Sequence, residues 1–410
     1  MAFDNAALMQ VVGTGGNGFD ITTIIFYLFF FLVLPVLYMR MNYWQSLLKL
    51  ETVANTMTEL SVNAKKIILK KLSKNPDLKL KQEVNSFMEF FIIEPVNLDP
   101  YGIMSKIEHL VNLSDERFEQ FVKKVAPNED AETQANLVMG LSGALSLHQI
   151  EKIIRHYVET VKKTKNIQLA MIFAMQLPLI ERIAKALLNG TEALANGWPI
   201  GDAAGSIVAA HMIGDSRTTE IEKDVLMVRK NIGGRTVFVL KARGPGGRLG
   251  KLGKAVEKIA RRNKVAKIIT VDAAAKLEGE KTGSIAEGVG VAIGGPGVDR
   301  SKIENLAVQA EIPIDSYVIK MGQEEAISPI KREVLAAVPR IIGIVEEDIK
   351  KTKQKGVIVV VGVGNTAGIG NTKKSAVKAE VEAKKVEQMM KNREKKEKKK
   401  HDYLSWLTGM

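Results

Sequence analysis

Residues 267–274 read KIITVDAA, an apolar run that ends in a carboxylate followed by small side chains. A run this short and this apolar reads as a strand buried on both faces, because a strand with one wet face alternates polar and apolar residues. The same grammar repeats around it. TVFVLK (236–241) precedes it, and GVGVAIGG (288–295), IDSYVIKM (314–321) and GVIVVVGVG (356–364) follow. Helical periodicity fills two of the intervals, at 300–312 and 332–351. Strands alternating with helices imply an open α/β sheet, mainly parallel. DVLMVRKNIGGRTVFVLK (224–241) adds a hairpin signal, two β-rich runs around an Asn-Ile-Gly-Gly turn.

In an open α/β sheet the loops leaving the carboxyl ends of the strands form the site. Asp272 is the carboxylate at such an end, and Glu287 and Asp299 border the neighbouring loops; these three are the candidate catalytic residues. Three glycine-rich loops supply the candidate ligand contacts. They are Arg243, Gly244, Gly246, Gly247 and Lys251 in the first, Gly294, Gly295, Gly297 and Arg300 in GGPGVDR, and Asn365 in GVGNTAGIGN. The first loop, within ARGPGGRLGKLGKAVEKIARR (242–262), is the most basic. It has one residue too many before Gly250 for a dinucleotide fingerprint, and Lys251-Leu252 replaces the Lys-Ser/Thr pair of a phosphate loop. It reads as a strand-to-helix turn that adds an anion-contacting wall. Cations at Arg243, Arg248 or Lys251 are expected to lower the pKa of Asp272 and keep it ionised. No motif names a cofactor, and none implies a metal. With no cysteine, disulfides and thiolate metal sites are excluded.

Upstream of the sheet the chain is of another kind. Residues 21–39, ITTIIFYLFFFLVLPVLYM, carry no charge and would span roughly 28 Å as a helix, enough for a hydrocarbon core. Tyr38, Tyr43 and Trp44 gather at one end, where amphipathic rings favour the interface. Asp4 and Asp20 precede the run, and Arg40 and Lys49 follow it. That asymmetry places the short N-terminus outside and the bulk of the chain in the cytoplasm. Glycosylation at Asn112 or Asn189, both in sequons, would mean the reverse. From 40 to 213 the periodicity is helical, with Ser146–Gln149 resembling a capping box that would start a helix. IQLAMIFAMQLPLIERIAKALL (167–188) is interrupted by Glu181, Arg182 and Lys185, so it reads as a buried helix. His148 and His156 fall among these helices as ordinary residues without a carboxylate partner.

The expected organisation is therefore a short segment 1–20, a transmembrane helix 21–39, a helical domain 40–213, an α/β domain 214–371 and a basic tail 372–410. The net charge of +13 favours acidic partners. The tail concentrates it: a lysine-rich helix with a thin stripe of Val377, Val381, Val386 and Met390 leads to Tyr403, Leu404, Trp406 and Leu407. Such a segment suits anionic lipid, an RNA backbone or an acidic protein surface, and equally a solvated tail.

The stretch IITVDAAAK…GSIAEGVGVAIGGPGVDR…IPIDSYVIKM resembles the core of the germination protease and hydrogenase-maturation peptidase fold. The likeness runs from about 236 to 321. In that fold two acids at neighbouring strand ends carry the chemistry, and Asp272 matches the second. The first position falls in GPGGRLGKLG, which holds no acid, so the resemblance implies a hydrolase-like but degenerate pocket. The whole chain, including FFIIEPVNLDP (90–100) and the N-terminal anchor, is similar to an archaeal membrane-anchored family without an established function. Three functions stay open at this level. They are a membrane-anchored cytoplasmic binding or scaffold protein, a membrane-tethered peptidase or other hydrolase using Asp272, and RNA or ribosome contact through the tail.

Overall fold

The computed structural model describes residues 21–92 and 102–408. The acidic start of the chain, the latter part of FFIIEPVNLDP and the aromatic side chains near the C-terminus lie outside what is described. The chain divides into two compact units, one of residues 1–55 and 154–177, the other of 56–153 and 178–410.

In the first unit the apolar run forms α1 (Ile21–Leu28), a π-helical turn (Phe29–Val33) and the start of α2 (Leu34–Leu72). Pro35 has no N–H, and its ring would clash with the carbonyl one turn back. The wide turn just before it relieves that clash while the helix continues. The run is exposed along its length, and by length and composition it can cross a membrane. Beyond it, α2 buries Leu47, Leu50 and Ala54. Tyr43 donates to the Val161 carbonyl (3.3 Å) and Lys162 pairs with Glu51 (2.7 Å), both from the end of α5 (Ala131–Thr164). Tyr157 stacks on Phe173 of α6 (Ile167–Asn196) with 4.2 Å between ring centroids.

Two helical expectations need correction. Ser146 starts no helix: α5 runs straight through it, and its hydroxyl bonds back to the Ser142 carbonyl (3.0 Å), the habit of a serine inside a helix. The first half of α6 is not buried either. Ala170 and Leu177 pack inward, but Met171, Ile172 and Met175 face out, and α6 also meets the length and composition of a membrane span.

The second unit holds α3 (Leu78–Phe87), α4 (Ile103–Val125), the remainder of α2, α5 and α6, and the sheet domain. His148 is buried there, and it does have carboxylate partners, Glu89 (3.0 Å) and Glu151 (3.3 Å). The sheet has seven strands in the order β1-β2-β3-β7-β4-β6-β5. They are β1 (Thr219–Glu222), β2 (Val225–Ile232), β3 (Arg235–Ala242), β4 (Val265–Ala275), β5 (Ile285–Val289), β6 (Ile314–Met321) and β7 (Val357–Gly362). β3, β7, β4 and β6 run parallel in the centre, while β1 and β2 on one side and β5 on the other pair antiparallel. The sheet is thus mixed, not mainly parallel.

The physical reason lies in two turns. Gly233 and Gly234, both left-handed, close the β2–β3 hairpin in two residues, which only antiparallel neighbours permit. The run 288–295 is not one strand: β5 ends at Val289, and Gly290 (φ 103°) reverses the chain. Residues 291–294 then return across the sheet, with the Ala292 N–H donating to Ser316 Oγ (3.0 Å) and Thr270 Oγ1 (3.1 Å).

Both faces of the central strands are covered. Val237, Val239, Ile269 and Val271 pack with α7 (Ala204–Ile213), α11 (Arg332–Lys351) and the start of α12 (Lys373–Thr408). Phe238, Leu240 and Ile268 pack with α8 (Leu252–Ala260) and α9 (Val298–Ala310). Between β6 and α11 lies the short α10 (Gln323–Ile327).

Candidate functional site

α7, AGSIVAAHMI, carries small residues at Ala204, Gly205, Ser206, Ala209 and Ala210, and it lies closer to the sheet than ordinary helices can. A Cβ on Gly205 would come within 2.1 Å of the Val271 carbonyl and 2.5 Å of the Val363 carbonyl. Gly362 on β7 matches it, since a Cβ there would meet the Ala209 methyl at 2.3 Å. This approach brings the turn ahead of α7 (Gly201–Ala203) to the carboxyl ends of β4 and β7. Asp202 sits in that turn. Its Oδ2 accepts the Asn365 N–H (2.9 Å), and Asn365 is 4% exposed.

Asp272 stands three residues before the end of β4 and is 5% exposed. Its Oδ1 accepts the Ala273 N–H (2.7 Å), and the Gly294 N–H is a further donor. Burial, and then the neighbouring Asp202 carboxylate, push its pKa up to about 8. Burial likewise raises Asp202, against the single Asn365 N–H. The expectation of a cation-held, ionised Asp272 is therefore wrong. Its presumed cations are engaged elsewhere. Arg248 pairs with Glu132 (2.5 Å) and Asp224 (3.1 Å), and Arg243 lies within 4 Å of Glu132, Glu220 and Asp224.

Both aspartates open onto a cleft of about 590 Å³. The C-terminal ends of the strands and the loop 293–299 form one side, and Asp115 of α4 and Met139 of α5 belong to the other. Lys251 lines it too, between Asp115 and Asp299 and acting on both charges. A buried and a half-buried carboxylate facing a cavity, with no cation paired to either among the described residues, can hold one proton between them, one as acid and one as base.

The other candidates are dispersed. Asp299 lines the cleft at the first turn of α9, accepts the Gly253 N–H (2.8 Å) and is raised in pKa by burial. Glu287 is exposed on the edge strand β5 and does not line the cleft. Gly247, Gly294, Gly295 and Gly297 line it; Arg300 pairs with Glu304 (2.8 Å) on the surface. Gly244 and Gly246 face their own protein. A Cβ on Gly244 would come within 1.8 Å of the Ile369 carbonyl.

The basic glycine loop after β3 does cradle an anion, but one from its own chain. Glu132 Oε2 accepts the Gly246 N–H (2.6 Å) as well as Arg248, and Asn136 Oδ1 accepts the Gly247 N–H (2.8 Å). Thr366 Oγ1 accepts the Arg248 N–H (3.1 Å), and the Asn371 side chain both accepts from and donates to the Gly244 backbone. The loop is a clasp between α5 and the sheet domain. The N–H groups of Gly244, Gly246, Gly247 and Arg248 are all taken up in it.

Residues 24–197 match the protein of unknown function (DUF1512) N-terminal domain, and residues 200–370 the C-terminal domain of the same name. The chain belongs to the DUF1512 family. No curated protein and no solved structure matches it. In DUF1512 terms Asp202 and Asp272 both come from the C-terminal domain, whereas Asp115, Glu132 and Met139 come from the N-terminal one. The cleft is therefore built from both.

Asp202 escaped the reading of the sequence because it precedes every strand. The rule that finds sites at strand ends has no strand to attach it to. The one available signal was its setting, an acid directly before the small-residue run AAGSIVAA.

Proposed function

We propose that this protein is a membrane-anchored hydrolase in which Asp202 and Asp272 share one proton. The observation that carries the reading is the pair itself: two carboxylates with raised pKa, with no cation paired to either among the described residues, and open to a cleft. At neutral pH the pair holds a single proton. The ionised carboxylate takes a proton from water as the water oxygen attacks the substrate's carbonyl carbon. The protonated partner gives its proton to the leaving group, so the pair ends the cycle with the same one proton. The apolar run 21–39 anchors the chain in this reading, and the basic residues after it keep the bulk on the cytoplasmic side. The likeness to the germination protease and hydrogenase-maturation peptidase fold belongs to the same proposal and points to amide bonds among acyl substrates.

The test is turnover by the full chain in vesicles against a panel of peptide and ester substrates. Asp202→Asn and Asp272→Asn should each abolish it, and Glu287→Gln should leave it intact. Turnover that survives both asparagine variants would remove the pair from the chemistry. A ligand held in the cleft and released unchanged would return the protein to a binding module, the reading that the clasped, rigid loops also support.

A further inference from the structure

Ser206 is fully buried in the first turn of α7, and its hydroxyl does not follow the habit of a serine inside a helix. Such a hydroxyl commonly bonds back to the carbonyl four residues earlier, which here is that of Asp202. Ser206 Oγ instead crosses to the loop after β7 and donates to the Gly364 carbonyl (2.7 Å). The same peptide unit carries the Asn365 N–H on its other edge, and that N–H donates to Asp202 Oδ2 (2.9 Å). One amide plane therefore stands between the serine and the carboxylate, accepting from the first and donating to the second.

The plane has little freedom to turn. Gly364 has φ 114°, in the region that favours glycine, and a Cβ there would meet the Asp202 carbonyl at 1.8 Å. The Asn365 side chain is occupied within the loop, its Oδ1 accepting the Ala367 N–H (2.8 Å), so it is the backbone that serves Asp202. One residue before Gly364, the Val363 N–H donates to the Val271 carbonyl (2.8 Å), directly ahead of Asp272. The loop is thus tied to α7 on one side and to β4 on the other, next to both carboxylates. A hydrogen bond to the carbonyl of an amide polarises its N–H, and a carboxylate responds to the strength and aim of such a donor.

We propose that Ser206 is a positioning residue of the pair: its hydroxyl holds and polarises the Gly364–Asn365 peptide so that the Asn365 N–H is aimed at Asp202. This rests on the reading of Asp202 and Asp272 as the reacting pair. Ser206 does not line the cleft, and it acts on the chemistry through that peptide. A small side chain satisfies the packing of α7, as at Ala204, Ala209 and Ala210; the hydroxyl serves the Gly364 carbonyl.

The test reads Asp202 by itself. In full-length Asp272→Asn chains reconstituted in vesicles, infrared titration of the carboxyl signal that Asp202→Asn removes gives the midpoint of Asp202. Adding Ser206→Ala should raise that midpoint by about half a pH unit or more, because the ionised form loses an aimed donor. Ser206→Cys, a weaker donor in the same place, should move it the same way by less, and serves also where the alanine variant does not fold. Thr191→Ala deletes an equally buried hydroxyl, one that bonds within α6, and should leave the midpoint unchanged. A midpoint that stays put in the Ser206 variants, or that moves as far in Thr191→Ala, would overturn the assignment. Turnover separates it from the reading beneath it. In the otherwise wild-type chain, Ser206→Ala should lower turnover several-fold and move its pH profile upward. A midpoint shift in a protein without turnover refutes the hydrolase and leaves the relay standing, whereas turnover with an unmoved midpoint refutes the relay alone.

Discussion

The loop after β3 and the loop before α9 are both rich in glycine and proline, yet their glycines serve opposite purposes. In the first, glycine permits contact. The Gly244 backbone lies so close to the loop after β7 that no side chain fits, and the N–H groups of Gly246 and Gly247 are taken by Glu132 and Asn136. In the second, glycine leaves space. A Cβ on Gly294 or Gly295 would meet nothing within 4 Å, and the stretch borders the cleft beside Asp272. Composition alone suggested two ligand-contacting loops. Packing makes one a clasp and the other an open wall.

Alanine at one position in each loop tests that contrast with the largest effect. Gly244→Ala drives a methyl group into the Ile369 carbonyl and should cost about 3 kcal/mol or more in chemical denaturation. Gly294→Ala, whose backbone needs no left-handed φ, should change stability by less than about 0.5 kcal/mol. Equal costs would erase the distinction.

Glu132→Gln probes what the clasp holds. The substitution keeps the shape but removes the charge that Arg248 and the Gly246 N–H converge on, and a loss of about 1–2 kcal/mol at neutral pH is expected. Burial works against ionisation of Glu132, yet its bonds to Arg248 and Gly246 outweigh it and hold its pKa below the usual carboxylate value. Its contribution is therefore full above that value and is lost as pH falls through the lowered one. The glutamine variant should lack this part of the acid dependence in a pH series of melting temperatures.

Lys241, on β3 at the root of the same clasp, offers a smaller effect in a higher pH window. It is fully buried, and its Nζ donates to the Ala242 carbonyl (2.8 Å) and Asn371 Oδ1 (3.0 Å). Burial pulls its pKa down from 10.5 to about 7. Between those values the unfolded chain binds more protons, so stability rises with pH across that window. Lys241→Met should flatten that rise, with a change of about 1 kcal/mol at neutral pH. An unchanged slope would show that the lysine is solvated as the chain breathes.

Much of the sheet was legible because buried strands are continuous apolar runs; 265–275, 314–321 and 357–362 fall where the composition put them. The segment after Val289 was misread because Gly290 reverses the chain inside an unbroken apolar pattern, which periodicity does not register. The site was half legible. Asp272 lies close to the carboxyl end of a strand, as a site residue on such a sheet should. Asp202 belongs to a turn held by tertiary contacts between residues distant in the chain, among them the fit of Gly205 against Val271 and Val363 and the Gly201 N–H bond to the Ser328 carbonyl. The protonation of Asp272 was misjudged for a related reason. Arg243 and Arg248 lie near in sequence, but Glu132, from a helix more than a hundred residues earlier, claims them.

The central claim is that Asp202 and Asp272 titrate as one coupled pair holding a proton at neutral pH. Infrared difference spectroscopy of protonated carboxyl groups, followed from about pH 5 to about pH 9, tests it most directly. The wild-type chain should show a protonated carboxyl at neutral pH that disappears near pH 8, and Asp272→Asn should lack it. Asp202→Asn, by removing the like charge, should move the midpoint of Asp272 downward. No protonated carboxyl at neutral pH, or a midpoint indifferent to Asp202→Asn, would contradict the account.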